Sequence, residues 1–185
     1  MTGATRAAYA LAVLTLANLA IGVALAIPAA NAGMLGVGAG HALPLLGTLM
    51  AVKLLAACAL AFCVRYMPLA TDRPGTILVG LTAGVASVLT LLMAGMVGVY
   101  ALVSGQGGLA SLIGGLSLAS LGLCGLWALS LLAARALAFG TATRIAGLVF
   151  AGCAILAALA PVIGLLAEFV GTLWWILLGR AYAAR

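Results

Sequence analysis

Four apolar runs, each long enough to cross a lipid bilayer, follow one another along this chain with short breaks between them. They are Tyr9–Ile27, Leu43–Val64, Thr76–Val103 and Leu109–Ala134. A helix rises about 1.5 Å per residue, so about twenty apolar residues cover a hydrocarbon core of ~30 Å. The intervening segments carry the residues that punctuate helices. Pro28 to Gly40 is rich in Gly and Ala, Arg65 to Gly75 holds Pro68 and Pro74, and the third break is Ser104-Gly105-Gln106-Gly107-Gly108.

A water-facing fold is excluded by what the chain lacks. A soluble domain carries about a quarter charged residues, whereas here 5% of 185 residues are charged and 67% are hydrophobic. The expected fold is therefore all-α: one polytopic transmembrane helix bundle over residues 1–185, with no room for a separate soluble domain.

The last apolar stretch, Ile145 to Leu178, sets the number of spans. As one helix it would be about 50 Å long, too much for a single crossing unless tilted or kinked. Pro161 lies near its middle, and proline suits the first turn of a helix rather than its interior. Splitting there gives Thr143–Ala160 and Pro161–Gly179, hence six spans; the alternative is five, with a long kinked last helix. With six, Arg6, the Arg65–Arg73 loop, the Arg135–Arg144 loop and the Arg180/Arg185 tail all fall on one side. The positive-inside rule makes that side, and both termini, cytoplasmic. Tyr9, Tyr66, Trp127, Trp174, Trp175 and Tyr182 fall near the same ends, where amphipathic rings are expected at the interface. Arg6, the apolar run and Ala30-Asn31-Ala32 have the outline of a secretory signal. The run of about twenty residues exceeds the ~7–15 of a signal core, so it reads as the first span. The implied location is a cell membrane, taken to be a bacterial inner membrane.

Several chemistries are disfavoured. The net charge is +6, but the basic residues are single and widely spaced; this suits anionic lipid headgroups rather than nucleic acid. Cys58, Cys63, Cys124 and Cys153 lie inside apolar runs without a C-x-x-C pair, as small buried hydrophobes do. His41 is the one histidine and sits in an outer loop without metal-ligating partners, so no metal site is expected and a solvated loop role fits it best. Arg65, Asp72 and Arg73 read as an interface anchor beside a turn. No H-E-x-x-H, G-x-S-x-G or P-loop pattern occurs. With two acidic residues in the whole chain, paired-carboxylate catalysis has no basis, and a serine–histidine pair would need Ser87, Ser117 or Ser120 to reach His41 from deeper in the bilayer. No enzyme is expected.

Two formal charges do lie well inside spans: Lys53 in the second and Glu168 in the sixth. Each costs about 2.5–3.5 kcal/mol at mid-bilayer on insertion scales, so each should face the bundle interior and find a partner. Counted from Pro44, Pro161 and Pro28, the side chains of Lys53, Glu168 and Asn18 come to one level, roughly 10–15 Å in from the outer end. Small residues flank each of them: Gly164, Gly171 and Thr172 beside Glu168, Thr15 and Gly22 beside Asn18, Ala56 and Ala57 beside Lys53. Such faces permit close helix approach. The same reasoning marks Gly80-x-x-x-Gly84, and the stripe Ser117, Ser120, Cys124, Trp127, as packing faces. Lys53, Glu168 and Asn18 are thus the candidate binding site, for an anionic or zwitterionic solute or a proton relay. The competing readings are a structural pair that fixes helix register or a charge that meets a partner subunit, and a Lys53 that snorkels while Glu168 is protonated.

Two functions follow as expectations. One is a non-catalytic integral membrane subunit or scaffold, packing against other membrane chains, lipid, quinone or pigment; an apolar groove lined by Trp127, Phe150 or Trp174 would suit a carotenoid or quinone. The alternative is a small solute transporter or membrane solute-binding component that uses the Lys53–Glu168 site. In size and topology, six short spans with the Gly/Ala-rich segment from Pro28 to His41 resemble the substrate-binding subunits of energy-coupling-factor vitamin transporters. The resemblance implies solute capture but carries no ligand residue across.

Overall fold

The computed structural model describes residues 3–35, 42–66, 74–133, 139–157 and 159–184. His41, Asp72, Arg73, Arg135 and Arg185 lie outside them. The chain forms six α-helices: α1 (Gly3–Leu35), α2 (Ala42–Arg65), α3 (Pro74–Ser104), α4 (Ala110–Ala133), α5 (Thr141–Leu156) and α6 (Pro161–Ala183). Five of them are long and apolar enough to cross a membrane, and α5 is a shorter apolar helix. The chain is a multi-pass membrane protein.

The stretch from Ile145 to Leu178 is two helices. At the end of α5 the N–H groups of Leu159 and Ala160 both reach the Leu156 carbonyl, at 2.9 and 3.0 Å. Ala160 is extended (φ −141°, ψ 98°) and Pro161 opens α6, where its missing N–H has no helical acceptor to lose. The turn is closed by its own backbone bonds, as a turn between apolar helices must be. With its 16 residues, α5 is about 24 Å long, the shortest of the six. Pro28 behaves differently. A break was expected there, yet α1 continues through it to Leu35. Proline removes one backbone donor from the helix there without ending it.

Each helix packs on its neighbours in the chain, and α6 closes the ring against α1. Side-chain contacts show every adjacent pair to be antiparallel. Along α3, Gly84, Gly95 and Gly98 meet Val64, Leu54 and Met50 of α2 in reverse order. Gly147 and Gly171 link α5 and α6 through Trp174 and Phe150, while Gly179 of α6 lies against Tyr9 of α1. Because lipid is as apolar as the helices, such fits of a large side chain over a glycine supply much of the packing energy. Gly84, half of the G-x-x-x-G match, is filled by Val64 and Trp127 of its own chain.

Antiparallel order gathers the exposed Arg6, Arg65, Arg144 and Arg180 at one end of the ring, called here the arginine end, together with both chain termini. The aromatic residues correct an expectation. Tyr66 is exposed, but Trp127 and Trp174 are fully buried, with Trp175 and Tyr182 nearly so. Trp127 stacks on Trp175 with ring centroids 5.9 Å apart, and Phe139 tilts over Trp174 at the same distance. These rings fill the arginine-end core, where helix interfaces need bulk, instead of lying at the headgroups. For the same reason Trp127 and Trp174, both 0% exposed, do not border an open groove, and Phe150, 2% exposed, faces the interior of the bundle.

Candidate functional site

Inside the ring, a cavity of about 100 Å³ is lined by residues from all six helices. Its half toward the arginine end is apolar, walled by Leu11, Leu60, Cys124, Phe150 and Trp175. Its other half is polar, and carries Asn18 from α1, Lys53 from α2, Ser117 from α4 and Glu168 from α6. The three candidate residues read from the sequence therefore face one space.

Their partners differ from a simple ion pair. The Asn18 side-chain amide donates to Glu168 Oε1 at 2.6 Å. Lys53 Nζ donates to Ser117 Oγ at 3.0 Å, and the Ser117 hydroxyl in turn donates to the Ile113 carbonyl at 2.8 Å. The order of the ring explains this division. α2 and α6 both pack on α1, one on each flank, and not on each other. Asn18 stands on the helix between them and is the first donor that Glu168 meets. Lys53 extends over α3 to α4, a helix that α2 does not touch, so its chain crosses the interior. Lys53 and Glu168 thus face one cavity without closing on each other, and each is held by a neutral hydrogen-bond partner.

Held this way, the site keeps hydrogen-bonding capacity in reserve. Among the described residues one of three ammonium protons of Lys53 is engaged. Glu168 uses one carboxylate oxygen toward Asn18, and the Asn18 amide oxygen is buried without a donor. A buried acceptor left unpaired costs about 1–3 kcal/mol; the reserve open to the cavity is that of Lys53 and Glu168.

Below it, Ser87 of α3 and Ser120 of α4 form a reciprocal clasp. Ser87 Oγ donates to the Ser120 carbonyl at 2.8 Å and Ser120 Oγ donates to the Ser87 carbonyl at 2.9 Å. Both hydroxyls are thereby satisfied, which ties α3 to α4 at the level where the polar half of the cavity gives way to the apolar half. On α6 the Thr172 hydroxyl donates to the Glu168 carbonyl at 3.0 Å, so the small polar residue on the Glu168 face serves the backbone.

Sequence reasoning missed the role of Ser117, which it assigned to a packing face. A signal was present in the polarity of a serine one turn from Ser120 on the same stripe. A second signal concerns the site as a whole. Asn18, Lys53 and Glu168 each stand twelve residues from the arginine at the arginine end of their own helix, Arg6, Arg65 and Arg180. That is about 18 Å along each axis, and places the three at one depth without reference to the prolines.

Against known protein families, curated proteins and solved structures, the chain gives no match. The function is therefore argued from the cavity itself.

Proposed function

We propose that this chain is a small solute transporter or solute-binding component of a cell membrane, with its arginine end in the cytoplasm and the central cavity as its site. One observation carries the reading: an ammonium and a carboxylate face the same intramembrane space, each tied to a neutral side chain and neither closed onto the other. A pair kept only to fix helix register gains most when its charges meet, since attraction must repay the desolvation of both. Charges held apart around a cavity are instead available to a ligand, and intramembrane ionisable groups commonly mark solute or proton pathways. The cytoplasmic assignment draws on the positive-inside rule, with four described arginines at one end.

The scaffold role, in which the chain is a non-catalytic subunit for other membrane proteins, is the other outcome of the test. Purification in mild detergent separates them: saturable solute binding that depends on Lys53 or Glu168 supports the site, and stoichiometric partner chains without such binding support the scaffold. Activity and yield of Lys53→Ala, Glu168→Ala and the double variant sharpen the result. If the double variant recovers both in full, the two charges serve only each other and the solute site is refuted.

A further inference from the structure

We infer that the solute is a small zwitterion of the size of the shortest α-amino acids, its carboxylate on Lys53 and its ammonium on Glu168. This rests on the reading of the cavity as a solute site and adds the class of ligand.

The two walls of the cavity call for opposite charges. On one wall the Lys53 ammonium offers donors that Ser117 does not take up. On the facing wall the second oxygen of Glu168, whose first is held by Asn18, offers an acceptor. A simple anion would answer Lys53 but bring a second negative charge beside Glu168. A simple cation would answer Glu168 but meet the Lys53 charge. In a setting of low dielectric either mismatch is expensive. A molecule with an anionic and a cationic end meets both walls and adds no net charge to the membrane interior.

Size narrows the class further. The cavity, about 100 Å³, is smaller than the ~150 Å³ engineered cavity that holds a benzene molecule. A molecule such as glycine fits such a space and one with a long side chain does not. Toward the arginine end, Leu11, Leu60, Phe150 and Trp175 leave an apolar wall. The Ser87 and Ser120 hydroxyls are committed to each other's helix and add no further donors for a sugar or polyol.

The test uses the full-length protein in lipid nanodiscs, with radiolabelled glycine as probe and acetate, methylammonium, acetamide and leucine as competitors. Glycine is expected to bind saturably and to change the fluorescence of Trp175, which borders the site. Acetate and methylammonium, each meeting one wall, should compete at least about tenfold more weakly, because a charge-assisted contact is lost, and acetamide and leucine more weakly still. Lys53→Gln and Glu168→Gln should each lower glycine affinity by about tenfold or more. The wild-type competition series alone decides the matter if either variant fails to fold. Acetate, methylammonium or acetamide competing as well as glycine overturns the zwitterion, leucine doing so overturns the size limit, and either result leaves the solute site standing. If none of the five binds, and none enters proteoliposomes containing the protein, the zwitterion and the solute site both fall.

Discussion

Replacing Gly84 by alanine is expected to destabilise the bundle, although alanine is the better helix former. A Cβ at position 84 would lie 2.7 Å from Trp127 Cδ1 and 2.8 and 3.1 Å from the two Val64 methyl carbons, where carbon atoms prefer about 3.5–4.0 Å. Relief on one side worsens the other, because Val64 belongs to α2 and Trp127 to α4. Trp127 has no free direction: it is fully buried and stacked on Trp175. Overpacking of this kind costs about 1–3 kcal/mol, against a gain of up to ~1 kcal/mol in helix propensity. The net loss is about 0–2 kcal/mol, and its midpoint of about 1 kcal/mol lowers the melting temperature of a chain of this size by roughly 2–4 °C. Gly115→Ala on α4 is the matched control, since nothing lies within 4 Å of its would-be Cβ. Thermal unfolding of both variants in the same detergent should lower the transition for Gly84→Ala and leave it unchanged or raised for Gly115→Ala. Equal behaviour of the two would refute the claim that α3 is clamped between α2 and α4 at Gly84.

Two further outcomes can be checked on the same material. Ser87→Ala and Ser120→Ala should each cost about 0.6–1.7 kcal/mol in detergent-induced unfolding, and the double variant should cost less than their sum; strict additivity would show that the clasp does not couple the two helices. In a variant whose four cysteines are replaced by alanine, Gln106→Cys in the α3–α4 turn and Ala184→Cys after α6 should react with an impermeant maleimide from opposite sides of the membrane. Labelling of both from one side would remove α5 as a crossing helix and with it the closed ring.

Much of the architecture was legible along the chain because burial in lipid is a property of local composition. Apolar runs of bilayer length become helices wherever they occur, and Pro161 divided the last of them for a reason that acts within one turn: its nitrogen carries no hydrogen. Lys53, Glu168 and Asn18 stood out because a polar group is costly at that depth. Their convergence could be inferred from helix rise alone. Pro28 was misjudged by the same local logic, since a proline disfavours a helix interior without forbidding it. The buried indoles were misplaced because a tryptophan near a helix end suits either a headgroup or a packed interface, and neighbouring helices decide between them.

The sequence by itself determined that this protein lives in a membrane, how its helices divide, and at what depth its few polar groups lie. Those depend on hydropathy and on rise per residue, which are one-dimensional. Tertiary structure alone decided who meets whom. With α1 standing between α2 and α6, the carboxylate of Glu168 goes to Asn18 and the ammonium of Lys53 crosses to Ser117. The cavity lies between two charges because helix order and rotation around the ring, which no single helix encodes, set each of them on a separate wall.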